Sequence, residues 1–435
     1  MRCAAKERSG DLEAWETALR AAVLAAGAAA LGGLLEGIGS GRQAEPVDCP
    51  GCGHRMESRG RRVKELLTIL GPVRYGRTRL ECPSCRRALY PGDEELDIVG
   101  TTRSPGMRRM MARVGSKSTF KEGRDDLKAL AGLRVSAKDV ERVAEAVGTE
   151  MEVWSGRERK RWLAYQPTGL VAKTIEVLYI EADGTGVPMV PEAVAGRRGK
   201  QADGSARTRE AKLGCVFTQT GRDRKGRAVR DPESTSFVGA IETVEEFGRR
   251  LYAEAVRRGL YNAKRVILLG DAAEWVKGLQ VMHFPQAMYI TDLYHAREHV
   301  ADLCRLLFAG QDKQMVAHRD RWWADLDAGR VETIITEARR HLPVSGSHRD
   351  EAIGEMAYLS KNKDHMRYAE FRRHGLFVGS GVIEAGCKSL IGLRLKQSGM
   401  EWSVRGANAI IALRCCKLSG RFEDFWERRS TARAA

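Results

Sequence analysis

Two cysteine doublets, Cys49-Pro-Gly-Cys52 and Cys82-Pro-Ser-Cys85, constrain this chain more tightly than any other feature. Each C-x-x-C forms a turn that aims two thiolates at one point. The stretch between them alternates like two strands, with Gly71-Pro72 as the expected reversal and Gly76 as a further candidate. A hairpin over Val63 to Leu80 would bring the doublets together, so Cys49, Cys52, Cys82 and Cys85 are read as Zn²⁺ ligands of a closed, structural ribbon. The remaining cysteines (Cys3, Cys215, Cys304, Cys387, Cys415 and Cys416) are scattered among core-like residues and suggest a reducing compartment.

The charge balance, 73 Lys+Arg against 57 Asp+Glu for a net +16, points to an anionic partner. Charge alone does not separate nucleic acid from a membrane surface or a merely basic enzyme. The apolar run Ala21 to Leu35 is fifteen residues, shorter than the roughly 20 needed to span a bilayer. Asp11, Glu13 and Glu16 precede it, unlike a secretory leader. A packed helix in a cytoplasmic chain with no membrane partner is the expectation.

After the ribbon the period changes. Phe120 to Leu130 and Ala137 to Val147 read as two helices joined by a Gly-containing turn, with Ser136 as the N-cap of the second. This is the layout of a helix-turn-helix, with Lys138 and Arg142 as candidate DNA contacts, and an ordinary helical hairpin gives the same pattern.

Beyond Trp162 the texture becomes strand-like: Glu176 to Met189, Leu213 to Thr218 and Ser236 to Ile241. A helix, a strand ending at Asp271, a helix, a strand near Ala287 to Thr291 and another helix follow. A strand meander and then alternating helix and strand is the order of a ribonuclease H-like core. In that order Asp183 lies on the first strand and Asp271 at the end of the fourth, while Glu384 opens a helical segment. Carboxylates gathered by a sheet suit Mg²⁺, which takes phosphate oxygens as further ligands. Between Asp271 and Glu384 lie 112 residues, and Gln311 to Phe377 reads as an all-helical insertion. The basic run from Arg197 through Lys200 to Lys212 reads as a loop between the first two strands.

The C-x-x-C doublets, YIEADGTGVP, GDAAEW, DLYHAREH and GSGVIEAGCKSLIGLRLKQSGMEWSVRGANAIIALR together resemble bacterial insertion-sequence DDE transposases of the IS-Kra type, and more distantly Mutator-like elements, over about Cys49 to Arg414. The resemblance implies that Asp183, Asp271 and Glu384 hold two Mg²⁺ (or Mn²⁺) ions for DNA cleavage and strand transfer. It also matches Asp292 and His295 to a D-x-x-H motif whose His lies near the scissile phosphate. Ala272 departs from it, since relatives often carry Gly there. His299, one turn after His295, competes for the same role. Arg394, Lys396 and Arg405 are candidate phosphate contacts and Trp402 a candidate base-stacking platform.

The expected organisation is α/β: an N-terminal helix (1–45), the zinc ribbon (46–95), a helix-turn-helix-like segment (100–165), a ribonuclease H-like core (170–310) interrupted by the helical insertion (311–377) and completed by the Glu-bearing helix (378–420), then a flexible tail (421–435). The expected partners are double-stranded DNA, as transposon ends and target, and a second copy of the chain, in a nucleoid-associated setting. Two rivals remain open: a non-catalytic DNA-binding regulator that keeps the ribbon, and a nuclease without strand transfer.

Overall fold

A computed structural model describes residues 11–38, 47–165, 174–199 and 201–434. The sequence expectations that fall on Cys3, on Lys200 and on residues 39–45 lie outside them. The chain divides into two compact units, residues 1–147 with 426–435, and residues 148–425.

The first unit begins with α1 (Leu12–Ile38). This helix is longer than the apolar run that announces it, because the charged segment from Leu12 to Arg20 is helical too. By length and composition Leu12–Gly37 is long and apolar enough to cross a membrane, a correction to the sequence estimate. Its Ala28 and Leu35 pack against Leu66, Val73 and Tyr75 of the hairpin β1 (Glu57–Thr68) and β2 (Gly71–Glu81). The hairpin is antiparallel, with Thr68 opposite Gly71, and β3 (Ala88–Leu89) adds to β2. After the short α2 (Pro91–Glu95) come three helices: α3 (Pro105–Lys117), α4 (Phe120–Ala131) and α5 (Ala137–Leu163). Helix α4 starts in a capping box at Thr119 and Glu122 and stops at Gly132, whose φ of 70° suits a residue without a Cβ. Ser136 Oγ accepts from the Asp139 N–H at the start of α5. The second helix of the pair runs to Leu163, well past the Val147 expected from sequence, and its residues from Gly148 on belong to the second unit.

The second unit is built on a five-stranded mixed sheet. Its strands are β4 (Ile175–Pro188) and, after the short α6 (Pro191–Val194), β5 (Thr208–Gln219), then β8 (Ser236–Ala240), β9 (Ala263–Gly270) and β10 (Met288–Thr291). A small ribbon, β6 (Gly221–Arg222) with β7 (Ala228–Val229), lies outside it. The sheet order is β10-β9-β4-β5-β8. Strand β5 runs antiparallel to both of its neighbours, β4 and β8, whereas β9 is parallel to β4 and β10 parallel to β9. A central strand is buried on both faces, which is why Val177 to Ile180 form an unbroken apolar run. Leu178, Ile180 and Leu268 share a core with Phe247 and Leu251 of α7 (Val244–Arg257) and with Val276 and Leu279 of α8 (Glu274–His283).

Strand β10 leads into α9 (Leu293–Leu307), after which the chain is helical: α10 (Asp312–Asp327), α11 (Val331–Arg340), α12 (Ser347–Asn362) and α13 (Tyr368–Arg373). Trp322, Leu326, Ile334 and Leu359 are buried there. The chain returns through α14 (Gly381–Gly386), a π-helical turn (Cys387–Gly392) and the one-turn α15 (Leu393–Leu395) to α16 (Val404–Leu418) and α17 (Phe422–Ala434). Gly386 sets α14 close to the sheet: a Cβ there would lie 2.7 Å from the Phe237 ring. Asn408 of α16 fastens to the end of β8, accepting from the Ile241 N–H (2.7 Å) and donating to its carbonyl (3.2 Å).

Candidate functional site

The β1–β2 hairpin and its flanking turns gather the four thiols. Cys49 Sγ lies 3.5 Å from Cys85 Sγ, and Cys52 Sγ 3.4 Å from Cys82 Sγ. All four sulfurs lie within 4.8 Å of one another, and among the described residues this is the only such group of three or more Cys, His, Asp or Glu. The Gly51 N–H stabilises the Cys49 thiolate and brings its pKa down to about 6. The His54 N–H acts in the same direction on Cys52, but the adjoining Cys82 thiol and desolvation outweigh it and carry that group up to about 11. Crowded thiolates ionise in turn and not together, and a soft-ligand cation relieves that repulsion. The donor set therefore fits Zn²⁺.

The carboxylates are collected differently. The last ladder pair between β4 and β9 is Glu181 with Leu269. Asp183 and Asp271 each follow two residues later, past the same end of the ladder between these two interior strands. Asp183 is raised above the usual carboxylate range, first by burial and further by the charge of Asp271, against hydrogen bonds from the Cys387 thiol and the Gly184 N–H. The Gly184 N–H lies 2.7 Å from Asp183 Oδ1, and a Cβ on Gly184 would lie 2.3 Å from the Glu210 carboxylate, so a side chain there would have to displace Glu210. Asp271 Oδ1 accepts from the Ala273 N–H at 2.9 Å, and the chain turns through Ala272 at φ 65°.

Glu384 lies on α14, which packs on β4 and β5. Its Oε1 is 3.3 Å from Ser380 Oγ. The Cys387 thiol, three residues on, is raised by burial and by the charge of Asp183, to which it also hydrogen-bonds, and to a lesser degree by Glu384. The three carboxylates share a neighbourhood but do not close to within 4.8 Å of one another as the thiols do.

Asp292 is almost wholly buried and commits both oxygens to backbone. Oδ1 accepts from the His295 N–H at 2.6 Å as the N-cap of α9, and Oδ2 accepts from the Ser380 N–H. It thus ties the helix carrying His295 to the segment carrying Glu384. Sequence reasoning missed a second tie. Glu181 is fully buried on β4, and its Oε2 accepts from the Ile383 N–H at 2.8 Å, one residue before Glu384. Burial raises this carboxyl to about 8, against the Ile383 hydrogen bond. The available signal was an acid inside the apolar run of a central strand.

The candidate DNA contacts divide. Lys138 and Arg142 are exposed, paired with Glu141 (2.5 Å) and Asp139 (2.6 Å). Lys396 is exposed and donates to Thr185 Oγ1, two residues past Asp183. Arg405 is exposed at the start of α16. Arg394 and Trp402 correct the sequence reading. Arg394 is fully buried and lies over the Trp402 ring, 5.1 Å from its centroid. Trp402 is 6% exposed, and its indole N–H donates to the Leu395 carbonyl at 3.1 Å. A guanidinium and an indole packed on each other in the interior present no surface to phosphate or base.

The model of the uncharacterised protein family UPF0236 matches residues 53–429. A UPF0236 protein in the vanSb 3' region of Streptococcus gallolyticus is 22% identical over 385 residues, covering 86% of this chain and 75% of that one. A UPF0236 protein of Caldanaerobacter subterraneus subsp. tengcongensis, whose name carries eleven locus designations, is 23% identical over 377 residues, covering 82% of this chain and 68% of that one. Among solved structures, the Drosophila P element transposase strand transfer complex aligns over 71% of this chain and 84% of that one at 10% identity, with a TM-score of 0.19, too low to transfer a fold. With the family's pattern running through both of its units, the chain is a member of UPF0236.

Proposed function

We propose that this chain is a DNA transposase that binds the terminal inverted repeats of an insertion sequence and catalyses metal-dependent cleavage and strand transfer. The observation that carries this reading is that Asp183 on β4 and Asp271 just past β9 each stand two residues beyond the last ladder pair of these adjacent parallel strands, with Glu384 on a helix against the same sheet. The sheet order, in which the first strand lies between the second and the fourth, is the order expected of a ribonuclease H-like core. Eleven loci in the name of one relative are what a self-copying element leaves in a genome.

The donor set fits a hard divalent cation. Its ligands are carboxylate oxygens, and burial together with the charge of Asp271 disfavours ionisation of Asp183, a cost that a bound cation offsets. Asp183, Asp271 and Glu384 would hold Mg²⁺ or Mn²⁺, two ions by the resemblance, and bound there these would polarise the attacking oxygen and take up charge on the leaving one. Asp292 and Glu181 hold the Glu384 segment in place. Lys396 and Arg405 supply exposed positive charge for phosphate, and the net +16 favours a polyanion. A cytoplasmic, nucleoid-associated dimer acting on two ends belongs to the same reading.

Asp183→Asn is expected to lower cleavage of DNA carrying the element's own termini by at least about 10²-fold, with end binding unchanged. The assay is a Mg²⁺- or Mn²⁺-dependent nicking assay beside a binding titration. Cleavage at the wild-type rate rejects the assignment. Cleavage without joined product on a target plasmid would leave a nuclease without strand transfer, and binding without any cleavage a regulator.

A further inference from the structure

The helical insertion reaches back to the carboxylate site through three side chains. Glu355 and Tyr358 lie on α12, and His299 lies one turn after His295 on α9. Glu355 Oε2 is 2.6 Å from His299 Nδ1, and His299 Nε2 is 3.3 Å from His295 Nε2. The His299 ring stacks on Tyr358, centroids 3.6 Å apart and planes 21° from parallel. Tyr358 in turn donates its hydroxyl to the Asp271 carbonyl at 3.2 Å. The line Glu355, His299, His295 therefore begins in the insertion and ends on α9, whose cap, Asp292, is bonded to the Glu384 segment.

Hydrogen-bond logic fixes the protons. A carboxylate accepts only, so His299 must present Nδ1–H to Glu355, which leaves Nε2 of a neutral His299 as an acceptor. The facing nitrogen of His295 must then donate, so a neutral His295 carries its proton on Nε2. Its Nδ1 keeps the lone pair and points away from the relay. That nitrogen lies 3.5 Å from Glu298, an acid on the same helix with a 74% exposed side chain. Stacking on Tyr358 holds the His299 ring plane, so the orientation does not depend on one hydrogen bond.

We propose that Glu355 and His299 are positioning residues that fix the tautomer and ring orientation of His295, so that its unprotonated Nδ1 is left to accept the proton of the attacking water or hydroxyl beside the reacting phosphate, and that the insertion thereby completes the site. The role of His295 at phosphate rests on the transposase reading, whereas the relay itself does not. An outer carboxylate of this kind fixes a histidine's tautomer and orientation, and its loss typically costs 10- to 100-fold in function.

The test uses the full chain labelled with ¹⁵N-histidine, with imidazole nitrogens assigned by long-range correlation, beside cleavage of DNA carrying the element's termini. The expected spectrum shows Nδ1–H at His299 and Nε2–H at His295. In Glu355→Ala the His299 tautomer is lost and kcat falls about 10- to 100-fold with DNA binding unchanged. Glu355→Gln, whose amide oxygen still accepts from Nδ1–H, recovers much of both. Glu298→Ala leaves both tautomers as they were. Nε2–H at His299 in the wild type, or unchanged tautomers or an unchanged kcat in Glu355→Ala, overturns the proposal. Should the wild type cleave no end DNA, the functional reading falls while the tautomers still decide the relay.

Discussion

The ribbon and the sheet each gather metal-type ligands, but to different degrees of closure. The four thiols of the ribbon lie within 4.8 Å of one another, whereas Asp183, Asp271 and Glu384 do not. One hairpin suffices in the first case, since the turns that carry the doublets flank β1 and β2, which pair in one antiparallel ladder. In the second case the ligands come from β4, from the turn after β9 and from α14, which is reached only through the insertion. Closed thiolate sites suit a structural ion, and an open set of carboxylates leaves room for solvent or phosphate oxygens. The thiols of the ribbon thus offer a place for a structural ion, while the segment carrying Glu384 is held by protein contacts: Asp292 to Ser380, Glu181 to Ile383 and Ser380 to Glu384.

The largest expected effect breaks this comparison at the ribbon. Structural zinc supplies on the order of 10 kcal/mol in small metallodomains. Cys82→Ala, or a strong chelator, should therefore open residues 47–90 and weaken end binding, while β4, β5 and β9 remain protected. Hydrogen exchange and limited proteolysis read both regions in one experiment. Unchanged protection of β1 and β2 after chelation would mean that the ribbon is held by its apolar contacts alone.

The next effect sharpens the comparison at the sheet. Glu181→Ala leaves the Ile383 N–H without its acceptor and opens a cavity in a fully buried strand, at a cost of roughly 2–4 kcal/mol. Glu181→Gln keeps an acceptor oxygen and removes the titration. In the wild type the folded-state pKa of about 8 lies above the ordinary 4.5, so the folded chain binds the proton more tightly than the unfolded one. That contribution is complete below pH 4.5 and is lost as pH climbs toward 8, a fall on the order of a few kcal/mol without divalent metal. Denaturant midpoints from pH 5 to 8 should slope downward for the wild type and lie flatter for Glu181→Gln. Parallel slopes would mean that Glu181 is ionised throughout.

What could be read from sequence follows the same division. The cysteine turns and the acids that follow apolar runs announce themselves because each signal is local: a spacing, an apolar run, a Gly after Asp183. Trp402 and Arg394 misled because an Arg beside a Trp looks alike whether it faces phosphate or packs inward, and the bridge that pairs Trp402 with Met189, just past β4, is long-range. Glu181 was passed over because alternation along a strand makes an acid two residues before Asp183 look solvated. The contradictory signal, a strand with both faces covered, depends on β5 and β9 pairing to either side. Glu355 and His299 meet only because α12 packs on α9, a contact no motif encodes.

The smallest expected effect tests how the turn after β9 holds Asp271. Ala272 sits at φ 65°, a left-handed conformation that costs an L-residue roughly 1–2 kcal/mol and a glycine almost nothing. Ala272→Gly removes that strain but adds freedom to the unfolded chain, worth about 0.4–1 kcal/mol. It also deletes a buried methyl from the core of the unit, worth about 0.8 kcal/mol. These terms nearly cancel, so the thermal midpoint should move by only about 2–4 °C, in either direction. Ala272→Val carries the strain and adds a branched side chain that disfavours this φ further, so it should destabilise by about 1–3 kcal/mol. It should also disturb the hydrogen bond from Ala273 to Asp271 and lower cleavage more than stability alone accounts for. If Val is tolerated as well as Gly, the turn adapts, and Asp271 is held by Tyr289 and Tyr358 bonding its neighbouring backbone and not by the left-handed residue beside it.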